Sequence, residues 1–490
     1  MGLLKAQYIA PIYKKGNKTD PANYRPISLT SHVTKIFERV IRNRMVGFLE
    51  SNKLISATQH GFRKGRSCLT QLLQHYDNIL RNLNDGHETD VIYLDFAKAF
   101  DKVDHKILLQ KLHLYGIRGP LYNWIEAFLS DRTQTVVVNG QHSEPRPVLS
   151  GVPQGSVLGP ILFILYINDL HKVIQNCHTG SFADDTKIQR EIDVAEDTEI
   201  VQNDLNNIIE WSKHNNMVLH EQKFMLLRYQ TNKSTLLTQL PFTAELAEYN
   251  TPSGYILTPT QTARDLGVQF SSDYKWTTHI NQMVSSARKT ASWVLGVFKD
   301  RSRLVMLQLF KSLVRSRVEY CCPLWNPLNV SDIQCVEDIQ RIAGTTEMSY
   351  WERLESLNLQ SLQRRRERYI IIHTWKILNG HSPNDIGMQF TSNIRLGTRV
   401  KIPALNKNAP MSAMTLYDSS FAVHAGKLWN ILPESVTSAQ QLDTFKVLLG
   451  RFLKTIHDRP PVKGYTTQNR NSIIDWWNQS GGLQDARRPC

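Results

Sequence analysis

Three acidic side chains stand where a metal-dependent enzyme could use them. Asp184 and Asp185 are adjacent, and apolar or β-prone residues flank them on both sides. A third acid, Asp95, ends the apolar run Val91-Ile92-Tyr93-Leu94. Strands that end together could bring the three carboxylates to one point, where their oxygens would suit Mg²⁺ shared with a substrate phosphate. A pair of such ions can stabilise both the attacking and the leaving oxygen of an in-line displacement.

An ordinary exposed turn is the alternative interpretation of the adjacent acids. Asp is a favoured turn residue, so Asp184-Asp185 alone does not establish a metal site. The elements that would position the acids must therefore decide between the two interpretations.

The pattern around the acids predicts strands that meet at a turn. Residues 179–182 and 186–188 flank the acidic pair as a tight hairpin, and residues 91–95 read as a strand. The run 133–138 before Asn139-Gly140 predicts one arm of another hairpin. Helices are predicted at about 31–50, 67–83, 105–115, 120–130 and 196–215, with a buried apolar helix within 150–169.

The first of these helices carries apolar residues at a spacing of three and four. Ser31 or Thr30 is a suitable N-cap for it. Its periodicity predicts one buried face, made by Val33, Ile36, Phe37, Val40 and Ile41.

The period becomes helical throughout after about residue 276. There the apolar residues recur at 4-3-4-3-4 spacing, at Ile280, Val284, Ala287, Ala291, Val294 and Phe298. We therefore expect an α+β chain with three parts: strands and helices over 1–275, a helical region over 276–375, and a C-terminal region over 376–490. The last part is of uncertain fold, with one helix predicted at 439–456.

Composition indicates a soluble globular protein that binds a polyanion. The chain has 490 residues, a length that exceeds what one hydrophobic core usually serves. Of these residues, 41% are hydrophobic and 21% are charged, as in soluble globular proteins. The formal charge is +14, and residues 1–66 hold 13 Lys and Arg against 3 Asp and Glu. Such a concentrated basic surface attracts polyanions in a salt-dependent way, although a merely solvated face is the alternative.

Several classes of protein are disfavoured by the same sequence. The longest run free of charged and strongly polar residues, 157–167, is too short to span a bilayer, and no secretion signal opens the chain. The six cysteines form no Cys-x-x-Cys pair and no zinc-site spacing. We expect a protein of a reducing, intracellular compartment, with no membrane partner.

Five motifs occur in a fixed order along the first 190 residues. They are Tyr24-Arg25-Pro26-Ile27-Ser28-Leu29, His60-Gly61-Phe62-Arg63, Leu94-Asp95-Phe96-Ala97-Lys98-Ala99-Phe100-Asp101, Ser150-Gly151-Val152-Pro153-Gln154-Gly155-Ser156 and Phe182-Ala183-Asp184-Asp185. Their order and spacing closely resemble the reverse transcriptase of non-LTR, LINE-type retrotransposons of the jockey and CR1-like groups. The resemblance is strong over about residues 8–270 and looser to about 375, where Val318-Glu319-Tyr320 and Arg364-Arg365-Arg366 occur.

This resemblance implies a right-hand polymerase with fingers, an antiparallel palm sheet and a helical thumb. Residues 1–275 would form the fingers and palm, and 276–375 the thumb. Asp95 and Asp184 would bridge two Mg²⁺ ions, or Mn²⁺, with Asp185 beside them. The substrates would be an RNA template, a DNA primer and deoxynucleoside triphosphates.

The resemblance also assigns roles around the incoming nucleotide. Arg63 matches the position that grips the triphosphate, with Lys14 or Lys15 as possible help. Phe100 would be the steric gate that excludes a 2′-hydroxyl, although a core Phe is the alternative.

Further positions complete the implied site. Gln154 and Gly155 match the turn beside nucleotide and template, where glycine allows close approach of the backbone. Lys223 matches a downstream lysine that serves as general acid or phosphate contact, with a surface lysine as the alternative. Leu266 and Gly267 resemble the hairpin that contacts the primer. We interpret Asp101 as a structural or capping residue.

The sequence departs from the family's pattern at three points. Position 220 is His where relatives usually have Asn. No zinc-knuckle pattern follows the polymerase motifs. The sequence opens almost on the first motif, which leaves no room for the endonuclease domain that such elements place upstream.

Two other functions remain open from the sequence. The chain could be a catalytically silent retroelement remnant that only binds RNA, or a splicing factor related to intron maturases. The retained acids, Arg63, Phe100 and the Gln154-Gly155 turn favour an RNA-directed DNA polymerase. The run Arg364-Arg365-Arg366-Glu367-Arg368 is expected either to touch nucleic acid or to form a solvated helix face.

Overall fold

A computed structural model of the chain describes residues 5–230, 248–341, 349–393, 397–458 and 472–479. The chain divides into two compact units. One comprises Met1–Ser67, Asp90–Leu226 and Leu237–Pro259, and the other comprises Cys68–Thr89, Leu227–Leu236 and Thr260–Cys490. The predicted division into fingers and palm, thumb and C-terminal region concerns functional parts and stays a prediction.

The strands of the described residues are numbered in chain order. They are β1 Ala6–Tyr13, β2 Tyr24–Leu29, β3 Glu88–Leu94, β4 Arg132–Val138, β5 Gln141–His142, β6 Arg146–Val148, β7 His178–Phe182, β8 Asp185–Ile192, β9 Met225–Tyr229, β10 Tyr249–Asn250, β11 Ile256–Leu257, β12 Pro259–Thr260, β13 Thr262–Asp265, β14 Val268–Ser271, β15 Gln389–Asn393 and β16 Gly397–Lys401.

The α-helices follow the same convention. They are α1 His32–Ser51, α2 Cys68–Asp85, α3 His105–Leu114, α4 Gly119–Leu129, α5 Gly159–Ile167, α6 Leu170–Val173, α7 Ala195–His214, α8 Thr277–Val297, α9 Arg303–Leu309, α10 Arg315–Val318, α11 Val330–Arg341, α12 Tyr350–Ser356, α13 Leu362–Leu378, α14 Met411–Asp418, α15 Phe421–Ile431, α16 Glu434–Thr437, α17 Leu442–Lys454 and α18 Ile473–Gln479. In the described parts of the chain no helix is long and apolar enough to cross a membrane.

A five-stranded sheet carries the acidic residues. Its strand order is β12-β9-β3-β8-β7. Strand β3 is buried along its whole length, and β7 pairs with β8 in an antiparallel hairpin whose last partners are Phe182 and Asp185. The predicted strand before Asp95 and the predicted hairpin around the acidic pair are both confirmed.

A second sheet is built from β1, β2, β4, β5 and β6. Strand β1 pairs antiparallel with β2 and parallel with β4, and β4 turns through Asn139-Gly140 into β5. This confirms the hairpin predicted from the Asn-Gly signal. The sheet therefore pairs the first strand of the chain with the Tyr24–Leu29 motif.

Helix α5 lies at the centre of the first unit's core. Eight of its nine residues are buried hydrophobics or glycine, as the apolar run predicts. Directly before this helix, the carboxylate of Glu38 accepts from the backbone N–H groups of Val157 and Leu158 at 2.6 and 2.9 Å. Burial is the main cause of a raised pKa for Glu38, and these hydrogen bonds oppose it. A buried acid of α1 thus caps the helix that follows the Gln154-Gly155 turn.

The predicted buried face of α1 is wrong at Val33, Ile36, Phe37 and Val40, whereas Ile41 is partly buried against the core. The helix begins after the predicted cap, Ser31, whose side chain accepts from the Thr34 amide. Its apolar stripe, however, is exposed, with side chains 60–63% accessible at Val33, Ile36, Phe37 and Val40. The buried face instead contains Thr34, Glu38, Met45 and Leu49. The need of the amides before α5 for an acceptor turns Glu38 inward, and the apolar stripe lies on another side of the helix.

Helix α8 in the second unit has the buried face that its spacing predicts. Ile280, Val284, Ala287, Ala291 and Val294 are all buried. A π-helical turn at Phe310–Val314 follows α9. In the C-terminal region, α17 at Leu442–Lys454 corresponds to the helix predicted at 439–456. The parts of this region at 459–471 and 480–490 lie outside the described residues.

Both interpretations of the arginine run in α13 are wrong. Arg364 and Arg366 are almost fully buried. Arg364 donates to the backbone oxygens of Ile456 and His457 at 3.4 and 3.2 Å. Arg365 forms an ion pair with Glu319. The arginine run is buried because residues 319, 456 and 457, which lie far from it in the sequence, supply its hydrogen-bond and ion-pair partners.

Helix α1 offers a direct test of its orientation. Phe37→Ala should change the free energy of unfolding by less than about 0.5 kcal/mol, because Phe37 is exposed. Leu49→Ala, on the buried face of the same helix, should cost about 2–5 kcal/mol. Urea denaturation of the two variants checks this, and a larger loss for Phe37→Ala than for Leu49→Ala would contradict the observed orientation.

Candidate active site

Asp95 lies where the buried strand β3 leaves the sheet. Its backbone oxygen accepts from the His220 amide at 2.8 Å, and the Ala97 amide donates to Val218 O at 2.7 Å. Phe96 pairs with Leu219 in an antiparallel bridge. The segment 217–220 therefore fixes the backbone on both sides of Asp95, and position 220 does this through its main chain.

Asp184 and Asp185 lie at the β7–β8 turn. Ala183 adopts a left-handed conformation with φ of +58°, which allows the chain to reverse between Phe182 and Asp185. Asp184 is half-buried and Asp185 is exposed. The turn thus gives the two adjacent acids different surroundings, and they do not form an equivalent pair.

The carboxylates of Asp184 and Asp95 are close enough to repel each other. Burial is the largest cause of a raised pKa for Asp184, and the charge of Asp95 raises it further. The backbone amide of Asp184 and the positive charges of Arg25 and Lys14 act in the opposite direction. The sequence prediction that β3 and the β7–β8 turn bring acids together is consistent with this interaction.

Lys223 contacts the carboxylate of Asp95. Its Nζ lies 2.8 Å from Oδ2 of Asp95, and the two side chains are 52% and 39% exposed. Lys223 ends a short 3₁₀ helix, Glu221–Lys223, directly after the segment that pairs with residues 95–97. Lys223 therefore places a positive charge on the first acid.

The arrangement of acids is looser than a closed metal cage. Among the described residues, no group of three or more His, Cys, Asp or Glu side chains is close enough together to hold a metal ion. Asp95 is the acid whose charge acts on Asp184. The ligand role of Asp185 stays a prediction.

Phe100 packs against an aromatic residue of α5. Its ring stacks on Phe163 with centroids 4.3 Å apart and meets the edge of Phe62 at 6.3 Å. Its backbone oxygen accepts from the Val152 amide at 2.9 Å. Phe100 is partly accessible, and one face of its ring is held against the core by Phe163.

The Gln154-Gly155 turn is joined to both neighbouring motifs. Gln154 Nε2 donates to Asp101 Oδ1 at 2.9 Å, and Gln154 O accepts from the Ser28 amide at 2.7 Å. Gly155 has φ of +113°, and a Cβ there would lie 2.6 Å from Ser28 O. The turn therefore requires glycine, and Asp101 has the structural role that the sequence indicates.

Arg63 is engaged in internal contacts. Its guanidinium forms a two-point ion pair with Glu50, at 2.8 and 2.7 Å, and donates to the backbone oxygens of Ser56 and Gln59. The hydrogen bond from Arg63 is the main reason that the pKa of Glu50 is lowered. A triphosphate contact by Arg63 stays a prediction, and it would require the side chain to leave these partners.

Arg25 is the residue that sequence reasoning missed. It lies exposed on β2 opposite Ile12, and its charge acts on Asp184 together with that of Lys14. The signal was present in the motif Tyr24-Arg25-Pro26-Ile27, but nothing in the sequence showed which arginine is internally paired. The contrast with Arg63 makes Arg25 the better candidate for a phosphate contact.

Leu266 and Gly267 form the β13–β14 turn of the second unit. Both have positive φ, +42° and +87°. The hydroxyl of Tyr320 donates to Leu266 O at 2.8 Å, and a Cβ on Gly267 would touch the Tyr320 ring at 3.4 Å. Tyr320, of the Val318-Glu319-Tyr320 motif, thus supports this turn, whose primer contact stays a prediction.

Comparison with known proteins identifies the family. Residues 12–270 match the family described as reverse transcriptase (RNA-dependent DNA polymerase). The chain belongs to the reverse transcriptase family. This confirms the α+β, right-hand polymerase class that the sequence predicts. Members of this family are nucleotidyltransferases, which use divalent metal in general.

Curated relatives that include two insect mobile elements confirm the predicted resemblance of this reverse transcriptase to those of non-LTR elements. It is 28% identical over 348 residues to the probable RNA-directed DNA polymerase from transposon X-element of Drosophila melanogaster. That alignment covers 69% of this chain and 37% of the relative. The chain is 26% identical to the RNA-directed DNA polymerase from mobile element jockey of the same species, over 69% of this chain and 38% of the relative. The chain thus spans less than two fifths of the length of these relatives.

Among solved structures, the chain is similar to apo telomerase from Candida tropicalis, and the superposition covers 97% of this chain and 69% of the telomerase chain. The sequence identity is 12% and the TM-score is 0.42.

The electrostatics of Asp184 predict a pH-dependent effect. Because its pKa is raised in the folded chain, its ionisation costs stability that is present at acid pH and lost as the pH rises through that pKa. Without divalent metal, Asp184→Asn should therefore unfold at a higher temperature than the parent at pH 8, by roughly 1–3 °C. The difference should shrink toward pH 4. Calorimetric scans at several pH values check this, and a lower midpoint for the variant at pH 8 would contradict it.

Proposed function

We propose that this reverse transcriptase is an active RNA-directed DNA polymerase. It extends a DNA primer on an RNA template by two-metal-ion nucleotidyl transfer. The observation that carries the proposal is the interaction of Asp95, at the end of β3, with Asp184, at the β7–β8 turn, next to the ammonium group of Lys223.

Asp95 and Asp184 fit a hard divalent cation. Carboxylate oxygens are its preferred ligands, and a cation would relieve the repulsion that raises the Asp184 pKa. We therefore assign Mg²⁺, with Mn²⁺ as the alternative, to these two carboxylates. When bound, the ions supply positive charge that stabilises the phosphoryl oxygens as the bond is exchanged.

The reaction joins the primer to the incoming deoxynucleotide. The primer 3′-hydroxyl gives its proton to solvent water as its oxygen forms a bond to the α-phosphorus, the bond from that phosphorus to the bridging oxygen breaks, and pyrophosphate leaves. Lys223 is positioned beside Asp95 and can give a proton to the leaving pyrophosphate. Arg25 and Lys14 carry positive charge toward Asp184 and can bind the triphosphate oxygens.

Phe100 and the Gln154-Gly155 turn would shape the nucleotide pocket. Stacking on Phe163 holds the Phe100 ring in one orientation, which a steric gate against a 2′-hydroxyl requires. Hydrogen bonds to Asp101 and Ser28 hold the Gln154-Gly155 turn in place. These contacts support a rigid nucleotide pocket, because every member is fixed by a partner outside the pocket.

Primer extension tests the proposal. The parent chain should extend a DNA primer on an RNA template with Mg²⁺, and Asp184→Asn should reduce the rate by roughly 10³-fold, because a charged group that acts on the transition state is lost. Glu144→Gln, the same change at an exposed acid of the first unit, should leave the rate unchanged.

Binding of RNA separates the proposal from its alternative. Filter binding should give the same RNA affinity for the parent and Asp184→Asn. A parent that binds RNA but extends primers no faster than Asp184→Asn would leave only the RNA-binding remnant.

A second experiment distinguishes the roles of Arg25 and Arg63. Arg25→Ala should raise the KM for the deoxynucleotide by about 10- to 100-fold, because a charge-assisted contact to phosphate contributes about 1.5–3 kcal/mol. Arg63→Ala should instead lower the free energy of unfolding by about 1–3 kcal/mol, because it breaks the internal contacts to Glu50, Ser56 and Gln59. Steady-state kinetics and urea denaturation of both variants check this. The opposite assignment of the two effects would return the triphosphate contact to Arg63.

A further inference from the structure

The segment 58–61, between α1 and α2, lies along the β7–β8 hairpin that carries Asp184. Gln59 pairs with Ser181 in a parallel bridge. The His60 amide donates to Ser181 O at 2.8 Å, and the Ser181 amide donates to Thr58 O at 3.0 Å. This short run therefore adds a strand-like edge to β7 just before the turn that carries Asp184.

The side chain of Gln59 continues this pairing around the turn. Its Oε1 accepts from the amides of Ala183 and Gly61 at 2.9 and 2.8 Å. Its Nε2 donates to Ala183 O at 3.2 Å. Gln59 is 1% exposed. One buried carboxamide thus binds both backbone polar groups of Ala183.

These contacts act on the residue that precedes the catalytic acid. The left-handed φ of Ala183, +58°, is unfavourable for a residue with a Cβ and persists only where the surroundings impose it. Binding both the N–H and the C=O of Ala183 fixes the planes of the two peptide groups around it. The second of these peptide groups leads directly into Asp184, so its plane sets the direction in which the Asp184 side chain leaves the backbone.

Gly61 completes the contact with the turn. A Cβ at this position would lie 2.5 Å from the Ala183 nitrogen. Its own amide donates to the same Gln59 oxygen. The backbone of residue 61 therefore packs directly against the turn, and any side chain there would push Ala183 away.

We propose that Gln59 is a positioning residue for Asp184. Its carboxamide holds Ala183 in the conformation that directs the Asp184 carboxylate toward Asp95. The inference rests on the proposed polymerase function for its kinetic consequence, but the effect on the turn itself is independent of activity.

The first test removes the hydrogen bonds and keeps the volume. Gln59→Met should lower the single-turnover rate of primer extension by roughly 10- to 100-fold at saturating nucleotide, because displacement of a reacting group by about 1 Å can cost that much. Its affinity for an RNA/DNA hybrid should stay within about twofold of the parent value. Retention of at least half the parent rate would overturn the proposal.

The matched control is another buried glutamine of the first unit. Gln7 is 7% exposed and accepts from Arg132 Nη2 at 2.6 Å. Gln7→Met should destabilise the chain to a similar extent while keeping the parent rate at a temperature where both variants are folded. Equal losses of rate in the two variants would mean that Gln59 acts only through stability.

A glycine pair gives a second test. Gly61→Ala should slow extension as Gln59→Met does, since its methyl group would displace Ala183. Gly47→Ala, in α1, meets nothing within 4 Å and should not slow extension. Parent-like extension by Gly61→Ala would contradict the role assigned to this contact.

Hydrogen exchange distinguishes failure of this inference from failure of the proposed function. In Gln59→Met the Ala183 amide should exchange at least about tenfold faster than in the parent, whereas Gln7→Met should leave it unchanged. This readout needs no polymerase activity. An inactive parent with fast exchange in Gln59→Met would overturn the polymerase proposal alone, and unchanged exchange would overturn the role of Gln59.

Discussion

Two carboxylates that repel each other are the constraint on which the first unit depends. The charge of Asp95 adds to burial in raising the pKa of Asp184, so the chain must hold them together at a cost in stability. The buried strand β3 and the paired segment 217–220 hold Asp95. The β7–β8 turn holds Asp184. Positive charges on Lys223, Arg25 and Lys14 partly compensate the repulsion.

The same constraint connects the basic segment to the acids. The Tyr24–Leu29 strand carries Arg25 toward Asp184 and also receives the Gln154-Gly155 turn through Ser28. Glu38 of α1 binds the amides directly before α5, the helix whose Phe163 stacks on Phe100. Motifs that lie far apart in the sequence therefore contact one another in the fold, since Gln154 binds both Ser28 and Asp101.

How far the sequence predicts this structure depends on whether a residue's partner is local. The strands around the acids and the α8 face follow from periodicity within a few residues, and the structure has them. The exposed α1 stripe, the buried arginines of α13 and the pairing of Arg63 with Glu50 do not follow. Periodicity marks an apolar or charged face but does not say what covers it. A motif likewise cannot distinguish an arginine that faces a substrate from one that is internally paired.

The central claim is that Asp95 and Asp184 together form a cation site that serves nucleotidyl transfer. Mn²⁺ titration followed by electron paramagnetic resonance tests it most directly, with the chain bound to an RNA/DNA hybrid that carries a dideoxy-terminated primer and an incoming deoxynucleotide. The account predicts about two tightly bound Mn²⁺ ions per complex, and weaker binding in both Asp95→Asn and Asp184→Asn. Binding that is unchanged in these two variants would contradict it.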